Sequence, residues 1–201
     1  MVIAFRYARD LIRRSRPVAA GLCAVLLCAA TPAATTYTVE RSASDVTAKV
    51  GIMGVGSRTA QFPDVRGTAR LERGSNESID LDVTIDARTL TASDRLTRDR
   101  LRSEQYFWVS KYPTVRFKGQ RMAMTGARTG KVEGTLTARG VSKPVSLSVS
   151  FDKAPADLPA GAMVTLTGTT RINRRDFGMK AHGLIVGKMV DITIKARLRP
   201  A

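Results

Sequence analysis

Ile79-Asp80-Leu81-Asp82-Val83-Thr84-Ile85-Asp86 alternates apolar and polar side chains without a break. In an extended chain a period of two sends one row of side chains to a dry face and the next to water. Val145-Ser146-Leu147-Ser148-Val149-Ser150-Phe151 and Val190-Asp191-Ile192-Thr193-Ile194-Lys195 repeat the pattern. Strands with one wet face belong to an antiparallel sheet rather than to a parallel sheet buried on both sides. Working outward, the sequence predicts about eight strands, near 45–53, 59–72, 79–86, 114–123, 131–138, 145–151, 163–172 and 188–198. Turn signals separate them at Gly74-Ser75-Asn76, at Thr125 to Gly130, and at Arg139-Gly140 with Lys143-Pro144. An even meander of this kind closes into an up-and-down barrel, which leaves no open edge.

One segment breaks the alternation. Ser93 to Gln105 is rich in charge and free of glycine and proline, and Asp94 with Arg98 and Arg95 with Asp99 are spaced as helix ion pairs are. A short helix near a barrel mouth is expected, with Ser93 as its cap and Leu96 and Leu101 facing inward. Tyr106-Phe107-Trp108 follows. Large rigid aromatics suit either a plug of ordinary core or a wall against which an apolar tail lies.

The N-terminus carries Arg6, Arg9, Arg13, Arg14 and Arg16, then an uncharged run from Val18 to Ala30, then Thr31-Pro32-Ala33-Ala34. A basic head, a short apolar run and a small-residue exit describe a secretory signal peptide over residues 1–34, cut near Ala33 or Ala34. A membrane anchor is the competing interpretation, but the run falls short of the ~20 apolar residues a spanning helix needs. Cys23 and Cys28 both lie inside that leader, and Leu22 and Leu27 stand where a lipoprotein needs a small residue. The expected mature part, residues 35–201, is one domain without cysteine, so no disulfide or thiolate metal site supports it. The whole chain carries a net charge of +16; the leader, with five arginines and Asp10, accounts for +4 and leaves +12. This charge is spread along the chain and no recognition motif accompanies it, so it is assigned to a solvated surface and not to nucleic acid.

Eight strands enclose room either for packed side chains or for one small ligand. The rows expected to face inward are Val46, Ala48 and Val50; Leu81, Val83 and Ile85; Leu147 and Val149; Ile192 and Ile194. They are medium-sized, and such rows leave space for an apolar guest that gains ~0.8 kcal/mol per buried CH₂. The alternative is that Met53, Phe62, Phe117, Met122 and Met163 fill the tube.

Three blocks carry a family likeness. Arg98-Asp99-Arg100-Leu101-Arg102-Ser103, with Phe107 and Lys111-Tyr112-Pro113-Thr114-Val115-Arg116-Phe117, resembles the YceI-like family. So do Val132 to Val145 and Ile172-Asn173-Arg174-Arg175-Asp176-Phe177-Gly178-Met179, in matching order and spacing. The resemblance implies a lipocalin-like barrel with an elongated apolar cavity, exported to the periplasm, holding a polyisoprenoid or isoprenoid-quinone lipid. The chain departs from the family where an aspartate, a His-Ser pair and a second histidine are usual: it has Glu40, Ala43-Ser44 and Ile52 there. Arg100 replaces the histidine of the Arg-Asp-x-His-Leu block, and Ala48 stands where a larger aromatic is frequent.

Catalysis needs a positioned acid, base or nucleophile with a partner. The sequence has no Gly-x-Ser-x-Gly elbow and no His-Glu-x-x-His helix, and its one histidine, His182, lies in an expected loop. No catalytic residue, metal ligand or cofactor is assigned. The expected cavity set is the inward rows together with Phe107, and the mouth candidates are Arg98, Asp99, Arg174 and Asp176. Those four have two uses, as a polar rim for a head group or as ion pairs that pin the helix. Gly178 is expected in a turn. Three functions follow in order: an exported carrier of an isoprenoid or quinone-like lipid, a basic module in peripheral contact with anionic membrane surfaces, and an enzyme acting on a lipid. A dimer is left open.

Overall fold

The computed structural model describes residues 34–54, 56–72, 79–159 and 161–201. The expected signal peptide lies outside the described residues except for Ala34, and the turn Gly74-Ser75-Asn76 lies outside them altogether. The fold is all-β with one short helix. Its strands are β1 (Ala34–Val39), β2 (Asp45–Ile52), β3 (Gly56–Phe62), β4 (Val65–Glu72), β5 (Ile79–Asp86), the two-residue β6 (Thr91–Ala92), β7 (Thr114–Met124), β8 (Thr129–Ala138), β9 (Val141–Phe151), β10 (Val164–Asn173) and β11 (Val186–Pro200). Every pairing is antiparallel, in the order β1-β4-β5-β7-β8-β9-β10-β11, and β11 returns to β1. Eight strands thus close a barrel in which each has two neighbours, while β2 and β3 extend the sheet at one end to the short edge strand β6.

Three staves of this barrel are bent, which is why the strands outnumber the staves. β2 continues β1 past a tight turn at Arg41–Ala43, β3 runs into β4 through Pro63-Asp64, and β6 follows β5 past Ala87–Thr89. Long β11 spans the first break: its end pairs with β1 and its middle with β2. Where those two strands part, the buried Ser44 hydroxyl accepts from the Arg197 N–H at 3.1 Å and repairs the ladder. The expected single strand 59–72 is therefore two strands, since Pro63 has no N–H to donate to a ladder. β1 is an addition to the expected set: Ala34 to Thr38 pairs with β4 and Tyr37 to Val39 with β11.

Arg139 and Gly140, with φ of 50° and 72°, form the two-residue turn between β8 and β9. Positive φ at both positions is what joins right-twisted strands without splaying them. Gly134 is required by close approach, because a Cβ there would fall 2.3 Å from the Lys118 carbonyl and 2.6 Å from the Phe117 ring.

The helix α1 spans Arg95–Arg102, shorter than the expected 93–105. Its cap is Asp94 rather than Ser93: the carboxylate accepts from the Thr97 N–H at 2.7 Å and from the Thr97 hydroxyl at 2.8 Å. Leu101 packs on the core, whereas Leu96, expected inward, is 68% exposed. Arg95 pairs with Asp99 at 3.6 Å as the spacing predicts. The Asp94–Arg98 ion pair does not form among the described residues, because the Asp94 carboxylate is taken by the cap.

Candidate functional site

The inside of the barrel is a tube. Its cavity of about 190 Å³ is walled by every stave, and no polar atom opens onto it. Side chains that point inward are only half buried at Ala48, Leu81, Val83, Ile85, Phe117, Met122, Leu166, Ile192 and Ile194. Inward-facing residues of a filled core would be sealed; these face one another across open space. Ten of the eleven expected cavity residues line it, namely Val46, Ala48, Leu81, Val83, Ile85, Phe107, Leu147, Val149, Ile192 and Ile194. Val50 lies outside it. Of the expected fillers, Phe62, Phe117 and Met122 contribute to the wall. Met53 and Met163 do not fill it: they are 76% and 44% exposed, because both sit at strand ends beyond the inward rows.

Strands that run alternately up and down bring the connections β2–β3, β5–β7, β8–β9 and β10–β11 to one end. There they form a cap. Arg139 donates from Nη1 to the Gly178 carbonyl at 2.8 Å, and the Met53 N–H donates to the Ile185 carbonyl at 2.9 Å. Three aromatic neighbours divide. Phe107 joins the tube wall and meets Phe62 edge-on at 5.4 Å. Tyr106 is buried and stacks on His182, its hydroxyl 3.1 Å from Nδ1. Trp108, at φ 50°, turns to Tyr112 with Lys111 over its ring.

Arg174 is the chemical oddity of the cap. It is 3% exposed, yet no carboxylate pairs with it among the described residues. Its Nε donates to the Gly187 carbonyl at 2.9 Å, Nη1 to Met179 at 2.6 Å and Nη2 to Val186 at 3.0 Å. Burial pushes its pKa down, the nearby Tyr106 pushes the other way, and Arg175 adds to the lowering. The guanidinium fork matches a loop turned back on itself and staples residues 179–187 over the barrel end. Its side chain borders the tube without presenting a polar atom to it.

The other mouth candidates stand away from the tube. Arg98 and Asp99 pair with each other at 3.0 Å on the helix exterior, and Asp176 accepts from the Asn173 side-chain amide at 3.2 Å. Gly178 closes its turn in the left-handed region at φ 78°. Phe177 and Met179, on either side of it, line the tube and were not among the expected cavity residues. Their signal was a run of apolar residues one apart in a segment without strand character, which alternation cannot orient. Among the described residues no cluster of histidine, cysteine and carboxylates could hold a metal ion.

Residues 37–198 match the family model described as the YceI-like domain. A UPF0312 protein of Pseudomonas savastanoi pv. phaseolicola is 27% identical over 160 residues, covering 79% of this chain and 83% of its own. Two solved structures share the fold. Burkholderia cenocepacia BcnA superposes with a TM-score of 0.69 at 22% identity, over 79% of this chain and 98% of its own. A polyisoprenoid binding domain from Saccharophagus degradans gives 0.65 at 14% identity, over 83% and 99%.

Proposed function

This chain belongs to the YceI-like family, and from that premise we propose that its barrel holds a long apolar lipid of the isoprenoid or quinone-like class. The observation that carries this reading is the tube wall, about 190 Å³ of space bounded by apolar atoms alone. Water does not settle in such a space, and an apolar cavity of ~150 Å³ already takes a benzene-sized guest. An apolar tail that enters gains ~0.8 kcal/mol for each CH₂ it buries. The polyisoprenoid binding of the Saccharophagus neighbour supports the ligand class.

The wall offers no hydrogen bond, so the tail is selected by width and length, and a polar head is left at a mouth. Val46, Ala48, Leu81, Val83, Ile85, Phe107, Leu147, Val149, Ile192 and Ile194 are the tail contacts in this proposal. The protein carries or sequesters its ligand and does not transform it, since general acid–base and nucleophilic catalysis both need polar groups beside the substrate. Export to the periplasm with loss of residues 1–34 belongs to the same proposal, and N-terminal sequencing of the protein from its host's periplasmic fraction tests that part.

Ala48→Phe places a ring in the tube between Ala60 and Ile192, its ladder partners. Uptake of a long-chain prenol is expected to weaken about tenfold or more, ~1.4 kcal/mol, with the circular dichroism of the fold retained. Unchanged uptake by the folded variant would place the ligand elsewhere.

A further inference from the structure

The capped end pushes large apolar side chains into water. Leu184 is 90% exposed, Met53 76% and Ile185 55%. They are neighbours, for the Met53 N–H bonds to the Ile185 carbonyl and Ile52 pairs with Val186. The loop that carries them is clamped. Arg174 grips it from beneath, Arg175 donates to the Gly183 carbonyl at 3.1 Å, and the Ile185 and Val186 N–H groups both donate to the His182 carbonyl. His182 holds the turn at φ 51° with its ring against Tyr106. A tip held in place with its apolar residues outward, away from a barrel that could have covered them, marks an interaction surface.

Its charge says what kind. Arg175 and Lys188 line the groove between these apolar residues, and Lys180 is exposed on the same loop. Among the described residues none of the three is in an ion pair. Asp176 is the one carboxylate in the sequence from 175 to 189.

We propose that this tip docks the barrel on an anionic lipid bilayer, with Leu184, Ile185 and Met53 entering the interface and Arg175, Lys180 and Lys188 facing lipid phosphates. Protruding apolar side chains with cations beside them fit a headgroup layer backed by hydrocarbon. The proposal rests on the lipid-holding reading in one respect: a bilayer is where an apolar guest of the tube resides, and Phe107, Phe177 and Met179, carried on the connections at the docked end, line that tube.

The test uses the full chain with Leu184→Trp as a depth reporter and Asp157→Trp, on the β9–β10 connection at the opposite end, as control. Trp108 emission of the parent protein is subtracted. Vesicles contain phosphatidylcholine alone or with phosphatidylglycerol, with brominated acyl chains. Bromine is expected to quench Leu184→Trp in the anionic vesicles only, with quenching lost near ~1 M salt, where the screening length is ~3 Å. Asp157→Trp stays unquenched, and Leu184→Ser with Ile185→Ser lowers vesicle binding about tenfold. No quenching at 184, equal quenching at both ends, or equal quenching in uncharged vesicles overturns the proposal. So does a spectral shift of Leu184→Trp that grows with protein concentration without vesicles, which assigns the tip to a second copy. Prenol uptake from detergent, measured on the same samples, separates the two readings. Uptake without quenching refutes docking alone; quenching without uptake supports docking and refutes the isoprenoid guest.

Discussion

The tube wall and the cap solve opposite problems with opposite chemistry. The wall surrounds about 190 Å³ with apolar atoms and asks for no directional contact. The cap buries a cation, satisfies it with three backbone carbonyls, and keeps His182 at positive φ against a buried tyrosine. A surface that must accept a flexible apolar tail gains nothing from polar groups, each of which costs free energy when left unpaired. A loop that must hold one shape over a barrel end needs them, because hydrogen bonds have geometry and apolar contacts have little. Capacity therefore resides in the wall and shape in the cap, and substitutions should separate the two.

The largest effect is expected at the cap. Arg174→Met keeps most of the side-chain volume but strands the carbonyls of Met179, Val186 and Gly187. Unsatisfied buried acceptors cost ~1–3 kcal/mol each, so a loss of about 3 kcal/mol or more and a fall in melting temperature of about 10 °C are expected. Thermal unfolding within a degree or two of the parent would show that the staple is dispensable. In the wall the matching change is mild. Ile192→Val trims a side chain that already faces open space, costs about 1 kcal/mol, and leaves prenol uptake within about threefold. A collapse of uptake on this change would mean that the wall makes specific contacts after all.

The outer face of the same wall gives the smallest effect. Arg116 bonded to Asp82 holds that carboxyl below the usual aspartate range, and Arg66, Arg88 and Arg171 do the same for Asp64, Asp86 and Asp191. A pKa lowered by folding means the ionised form is favoured in the folded state. Its contribution is complete above the unfolded value, near ~4, and is lost as pH falls through the lower folded values. Melting temperature should be flat from about pH 7 to 5 and decline by a few degrees below about pH 4, because exposed pairs are weakly coupled. A decline that starts near pH 6 would show that these four carboxylates are not the groups that set the acid limb.

Most of the wall was legible because alternation is a direct projection of which side faces in. Leu81, Val83 and Ile85 or Ile192 and Ile194 could be placed without knowing their neighbours. β1 escaped because Ala34 and its threonines follow on the small-residue exit of the expected leader, and the apolar alternation is confined to Tyr37 and Val39. The strand 59–72 read as one because its pattern passes through Pro63, where the backbone bends. Leu96 was misplaced because a two-turn helix buries one narrow stripe, which Leu101 occupies. Arg174 was found as a residue but not in its role. Its partners are backbone carbonyls, which every residue has, so no pattern of side chains announces them. The exposed tip is likewise invisible to composition, since Met53 and Leu184 are far apart in sequence and meet only when β2 and β11 pair.

Native mass spectrometry of the protein purified from its own host, with lipid extraction of the same sample, decides whether the tube is a lipid site. The expected result is an adduct that releases a prenyl lipid on denaturation and that is reduced about tenfold or more in Ala48→Phe. A bare mass, with no adduct after prenyl lipids of several lengths are added, would contradict it.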